Sequence, residues 1–126
     1  MPARAVATKE LANLFGVLSH PQRVRIIEEL RDEEHDVNFL ADALGVRHSR
    51  VSQHLSQLRS HRLVKMRRDG RHVYYRLANP EIAVWLLQGL RFIEAELLRE
   101  DDIHAAVEKA RAVWSGADPH ADDPVL

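Results

Sequence analysis

Polar side chains line one face of a predicted helix that spans about residues 48–60. Val51, Leu55 and Leu58 form the opposite, apolar face at helical spacing. Glutamine can make two hydrogen bonds to adenine and arginine two to guanine, because their donors and acceptors match the base edges in the DNA major groove. Gln53 and Arg50 are therefore the candidate base contacts, and the candidate DNA-binding residues of this helix are His48, Ser49, Arg50, Ser52, Gln53 and Gln57. The alternative is an ordinary solvated helix face.

One histidine of this helix falls outside that set. His54 lies close in direction to Val51, at the edge of the apolar face. We expect it to be a hydrogen-bonded residue at the boundary of the core, and neither a base contact nor a metal ligand.

Basic residues are concentrated in residues 47–76. This segment has nine lysines and arginines and a single acid, Asp69, which gives a net charge of +8, whereas the rest of the chain carries −9. A molecule with this dipole would present one face to a polyanion such as nucleic acid. Arg67, Arg68 and Arg71 flank a predicted turn and are the candidate phosphate contacts. The alternative, that the charges only solvate a surface, is more typical of runs in which both signs are balanced.

The elements that must position these residues are mainly helical. Leu11, Leu14 and Leu18 predict a first helix with Thr8 as its cap, and Pro21 begins a second helix that runs into an acidic turn over 31–36. A short third helix stops at Gly45, directly before the helix that starts near His48. A helix, a tight turn and a second helix predict a helix-turn-helix.

A two-stranded hairpin is predicted directly after the helix-turn-helix. Strand-like residues 63–68 and 71–77 flank Asp69-Gly70, which favours a type I′ turn. A two-residue loop at this point pairs Arg68 with Arg71 and Val64 with Tyr75, leaving one basic face and one core face. The fold class we expect is therefore mainly α with a two-stranded β wing, a winged helix-turn-helix in which four helices and the hairpin precede a long fifth helix and a C-terminal helix.

The long helix is predicted to start at Asn79-Pro80 and to reach about Arg99. Its apolar residues spread over an arc of about 220°, which is too wide for one intramolecular contact. A second copy of the chain would cover the remainder. The residues assigned to this dimer interface are Leu11, Leu14, Leu86, Leu90, Ile93 and Leu97.

A possible metal site follows the long helix. Asp101, His104 and Glu108 share one helical face at i, i+3 and i+7, and imidazole with carboxylates suits Ni²⁺, Co²⁺ or Zn²⁺. The alternative is that these acids only favour the helix dipole, so no cofactor is certain. Catalysis is not expected, because Ser49, Ser52 and His54 are badly spaced for a nucleophile and base, and phosphate-binding glycine loops are missing from the sequence.

Chain length and composition predict one DNA-binding and dimerisation domain over 1–100, a C-terminal helix over 101–114 and a flexible polar tail over 115–126. The chain contains no cysteine, which excludes disulfides and thiolate metal sites. Its longest apolar stretch, Ile82 to Leu87, is much shorter than the roughly 20 residues of a membrane span. We therefore expect a cytoplasmic protein that has no membrane partner.

Three stretches resemble the ArsR/SmtB family of bacterial winged-helix repressors: LSHPQRVRIIEEL (18–30), FLADALGVRHSRVSQHLSQLR (39–59) and LVKMRRDGRHVYYRL (63–77). The resemblance covers about residues 10–98. It implies a homodimeric repressor that reads an inverted repeat in double-stranded DNA. Arg47 and Arg62 depart from the serine cap and the glycine usual in the family.

The resemblance also bears on the effector. Asp36 and Asn38 stand where thiolate sensors of the family have a cysteine pair, and the positions of its intersubunit zinc site hold Asn79, Glu81, Phe92 and Ala95. Both metal sites are therefore missing from this sequence, and the effector stays open. The alternative functions are metal binding through the C-terminal histidine and carboxylates, or a winged-helix docking module that does not read DNA.

Overall fold

The computed structural model describes residues 2–96 and 101–116, with side chains in the second range from Ile103 onward. The chain divides into two units, one ending at Asn79 and one beginning at Pro80. Within the described residues, the first unit contains α1 (Ala3–Val17), α2 (Pro21–Glu29), β1 (His35–Asp36), α3 (Val37–Leu44), α4 (His48–Ser60), β2 (Val64–Asp69) and β3 (His72–Leu77). The winged helix-turn-helix prediction is confirmed.

The turn that joins α3 to α4 is formed as predicted. The Asp36 carboxylate caps α3 by accepting a hydrogen bond from the backbone N–H of Phe39 at 2.8 Å. Gly45 ends the helix with a φ of 69°, a left-handed conformation that costs glycine nothing. α4 then buries Val51, Leu55 and Leu58 completely, against a core that also holds Ile26, Ile27 and Leu40.

The first helix begins earlier than the sequence pattern indicated. α1 starts at Ala3, and the Thr8 hydroxyl donates to the carbonyl of Arg4 one turn back in the same helix. The prediction that Thr8 caps the first helix is therefore wrong. A threonine in a helix interior satisfies its hydroxyl in this way without ending the helix.

The hairpin has the predicted faces but a different register. The structure pairs Arg68 with Val73 and Val64 with Leu77, so each β2 residue lies opposite a β3 residue two positions further along than expected. This register places the buried Val64 and Leu77 opposite each other, so that the two apolar side chains form a direct cross-strand pair in the core. The loop is consequently Gly70-Arg71. Only Gly70, at φ 61°, has a positive φ in this loop, which matches a type II′ turn and not the predicted type I′ turn.

A third strand extends this sheet. β1 pairs with β3 in antiparallel fashion, with His35 opposite Tyr75, and the strand order is β1-β3-β2. The prediction of an acidic turn over residues 31–36 is therefore wrong at its end, where His35 and Asp36 pair with β3. β2 is left as an edge strand of the sheet.

The second unit contains α5 (Glu81–Glu96) and α6 (Asp101–Trp114), which pack against each other. Arg111 links the two helices by donating from Nε to Oε2 of Glu94 at 2.6 Å. α5 begins at Glu81, one residue after the predicted Pro80, and the predicted end near Arg99 lies outside the described residues, as do positions 117–126 of the predicted tail. No helix in the described parts of the chain is long and apolar enough to cross a membrane.

Candidate nucleic-acid interface

α4 presents the predicted polar residues to solvent. The apolar face of the helix is fully buried, and all six candidate DNA-binding residues are exposed on the other side, as is Ser56: His48, Ser49, Arg50, Ser52, Gln53 and Gln57. The start of α4 borders an open depression of about 490 Å³ whose lining includes Ser49, Arg50 and Gln53. Small polar side chains beside longer ones allow such a helix to approach a groove closely.

His54 holds α4 against α2. Arg23 donates from Nε to His54 Nδ1 at 3.0 Å, and His54 Nε2 lies 2.9 Å from Oε1 of Gln22. Since the arginine can only donate, Nδ1 accepts and Nε2 carries the proton that it donates to Gln22. The expectation that His54 is a hydrogen-bonded boundary residue is confirmed. Burial, followed by the charge of Arg23, lowers the pKa of His54, so the ring is held neutral.

This network makes folding stability depend on pH. The folded pKa of His54 lies below the usual value of 6.5, so the unfolded chain binds more protons at mildly acidic pH. The free energy of unfolding should therefore be highest above 6.5 and fall as the pH drops from that value toward the lowered pKa of the folded state. Urea denaturation at several pH values measures this loss.

Two histidine variants test whether His54 is the residue that takes up this proton. His54→Gln should flatten the loss between about pH 7 and 5, and His61→Gln, which removes an exposed imidazole, is measured in parallel as the control. An identical pH profile in wild type and His54→Gln would assign the proton uptake to another residue.

The three arginines of the wing do not have equal surroundings. Arg67 makes a two-pronged ion pair with the Glu34 carboxylate and lies 4.8 Å from the centre of the Tyr74 ring. The guanidinium of Arg67 lowers the pKa of Glu34. Arg68 and Arg71 are exposed and have no ion pair among the described residues. They are consequently better placed than Arg67 for phosphate contacts, although all three remain predictions.

Glu34 was missed at the sequence level. It belongs to an acidic run, and such runs are usually solvated. Its proximity to Arg67 depends on β1 joining the sheet beside β3, a long-range pairing that leaves no local sequence signal.

The candidate dimer residues differ in exposure. Leu11 is 48% exposed, and Leu14, Leu86, Leu90 and Ile93 are half-buried, while Leu97 lies outside the described residues. The most exposed apolar side chains of α5 are instead Phe92 (59%) and Val84 (47%). Phe92 follows Trp85 at i, i+7 and Val84 at i, i+8, and this helical spacing is the signal that could have selected them.

The candidate metal ligands are incompletely described. His104 Nε2 lies 3.8 Å from Oε2 of Glu108, and both side chains are about half exposed. The side chain of Asp101 lies outside the described part of the chain. Groups of three metal-ligating residues do not occur among the described side chains. Asp36, at the position of the family's cysteine pair, is used as a helix cap. Metal binding at His104 and Glu108 stays a prediction.

The sequence and the fold of this chain have counterparts among known proteins. The family model described as "Bacterial regulatory protein, arsR family" matches residues 20–66, which run from α2 into β2. A helix-turn-helix transcriptional regulator of Mycobacterium tuberculosis, Rv0081, is 38% identical over 102 residues, which cover 80% of this chain and 87% of the relative. This chain belongs to the arsR family of bacterial regulatory proteins. Its fold is that of the winged helix-turn-helix class.

Solved structures of similar proteins share the fold. The crystal structure of Rv0081 matches with a TM-score of 0.67 at 35% identity, covering 72% of this chain and 92% of that one. A homodimeric winged helix-turn-helix domain from Mycobacterium bovis matches with a TM-score of 0.66 at 27% identity, covering 79% and 94%. The regulator KmtR of M. tuberculosis is 42% identical over 72 residues, 57% of this chain, and the chain spans only 55% of its length.

Proposed function

We propose that this arsR-family chain is a homodimeric repressor that inserts α4 into the major groove of double-stranded operator DNA. The observation that carries the proposal is the division of α4 into a fully buried apolar face and an exposed face of serine, glutamine and arginine side chains, followed directly by a basic wing. Base-edge contacts would come from Arg50 and Gln53, and phosphate contacts from Arg68 and Arg71. In this role the protein would act in the cytoplasm and without enzymatic activity.

A dimeric state would determine how the half-sites of the operator are arranged. The related domain from M. bovis is homodimeric, and apolar residues of α5 are exposed in this chain. Two copies of α4 related by a two-fold axis would read an inverted repeat with half-sites about one helical turn apart. An effector would act by favouring one of two dimer geometries, only one of which fits both half-sites.

Removing the Gln53 amide tests base reading. Duplexes selected from a random-sequence library for wild-type binding would serve as the operator. Gln53→Ala should weaken binding to the selected duplex by about 1 to 3 kcal/mol and affect random duplex much less, because phosphate contacts remain. Fluorescence anisotropy titrations at one fixed salt concentration measure both affinities.

The matched control is Asn13→Ala, which removes an exposed amide from α1. It should leave both affinities at the wild-type value. Equal losses on selected and random DNA for Gln53→Ala would place this side chain on the DNA backbone. Failure of the wild type to enrich any sequence would refute the operator-binding proposal and favour a docking module.

A further inference from the structure

A second concave surface of the first unit is surrounded by positive charge. It has a volume of about 440 Å³ and lies between the end of α4 and the start of the hairpin, along edge strand β2. Its charged lining consists of Arg59, Arg62, Lys65 and Arg76, and its apolar lining includes Val64 and Met66. It shares no lining residue with the depression at the start of α4.

The four cations are close to one another, and no ion pair joins any of them to a carboxylate in the described parts of the chain. Lys65 and Arg76 are direct cross-strand partners, an arrangement in which like charges repel. The carboxylate of Glu34, whose pKa the charge of Arg76 helps to lower, forms its ion pair with Arg67 instead, as does the carboxylate of Asp69. Four cations kept together against their repulsion favour a bound anion, whose charge would relieve it.

The backbone of Arg62 supplies a second, independent observation. Arg62 has a φ of 62° and is the one non-glycine residue with positive φ in the described chain. Its N–H bonds to the carbonyl of Arg59, and the next N–H, of Leu63, bonds to the carbonyl of Leu58, so Arg62 occupies the position after a helix end that glycine favours. An arginine kept there at a conformational cost points to a role for its side chain.

We propose that this cavity binds clustered phosphate groups. Guanidinium and ammonium groups are the usual protein partners of phosphate, and the volume lies in the range of small-molecule sites. β2 is an edge strand, so alternate backbone N–H groups also face away from β3 and can donate to the same anion. The phosphates could belong to a free polyphosphorylated molecule or to the DNA backbone beyond the half-site, and the two sources are distinguished by experiment.

The first experiment uses sodium tripolyphosphate as the probe. Isothermal titration calorimetry at low salt should give one site per chain for the full-length wild type, with orthophosphate bound more weakly. The double variant Arg59→Gln, Arg76→Gln should bind tripolyphosphate at least about tenfold more weakly, since each charge-assisted hydrogen bond contributes substantially. Arg91→Gln, which removes one exposed charge from α5, should bind like the wild type.

The second experiment tests the DNA backbone as the source. The selected duplex is compared with a version extended by about six base pairs at each end, so that additional phosphates become available. The wild type should gain affinity on extension, and the double variant should gain less. Loss of either response in the double variant, with Arg91→Gln normal, supports the proposal and identifies the source. Wild-type behaviour of the double variant in both experiments overturns it.

The variant Arg62→Gly tests whether the Arg62 side chain binds the anion or whether this residue only carries backbone strain. This substitution relieves the positive φ and removes a cation, so it should raise the thermal unfolding midpoint while weakening tripolyphosphate binding. A more stable variant with unchanged binding would show that the Arg62 side chain does not contact the bound anion. Tripolyphosphate binding needs no operator, so a failure of the proposed DNA function would be seen separately.

Discussion

Operator affinity of the dimer should fall steeply with salt. If six to ten phosphates are neutralised per dimer, the slope of log K against log salt is about −5 to −9, because each contact releases condensed counterions. Between about 0.05 and 0.2 M salt the affinity then drops by roughly three to five orders of magnitude. Anisotropy titrations over this range measure the slope. A flat response would contradict the assignment of the basic segment to DNA.

The arginines of the wing should contribute unequally to this slope. Arg68→Ala and Arg71→Ala each remove an exposed cation from both copies and should make the slope shallower by about 2. Arg67→Ala should change it less, because the Glu34 carboxylate already pairs with that guanidinium. Arg91→Ala, on α5, is the matched control. Equal changes for Arg67 and Arg68 would show that DNA displaces Glu34.

Local signals were sufficient to predict the helix-turn-helix. The apolar spacing of Val51, Leu55 and Leu58 and the position of Gly45 each act within a few residues, and the bounds of α4 agree with the prediction. The same spacing also indicated which side chains of α4 reach solvent. Consistency between local pattern and burial explains this agreement.

The hairpin register could not be obtained from its turn residues. Asp69-Gly70 favours a type I′ loop, but the core requires Val64 and Leu77 to be buried opposite each other. The structure therefore differs from the turn preference by two residues, and the cross-strand partners are what this shift changes. Because the shift is even, the predicted faces are preserved, and Lys65, Arg67 and Tyr74 still share one side of the sheet.

Contacts between distant parts of the sequence account for the other differences. Glu34 reaches Arg67 only because β1 pairs with β3, and the basic cavity forms only because the end of α4 meets the hairpin. Neither β1 nor the cavity has a signature in a short window of sequence. The positive charge of both regions was predictable, but the pairing of each arginine was not.

We expect dimerisation to respond more strongly to substitution than any other property, because apolar side chains of α5 are exposed in the single chain. Phe92 is 59% exposed and Val84 47% exposed in the single chain, and large exposed aromatic side chains on one helix face are typical of interfaces. Phe92→Glu would place a carboxylate at the contact between two copies and should weaken the dimer by several kcal/mol, because burial of an unpaired charge is costly. Sedimentation velocity should then detect folded monomers at concentrations where the wild type is dimeric.

Two further variants make the result of Phe92→Glu specific to the interface. Phe92→Leu keeps an apolar side chain and should remain dimeric, whereas Phe39→Glu places the same charge at an exposed phenylalanine of α3 and should also remain dimeric. Loss of the dimer should weaken operator binding too, because each monomer reaches only one half-site. A fully dimeric Phe92→Glu would move the interface away from this face of α5, and the half-buried Leu86, Leu90 and Ile93 would then become the next positions to substitute.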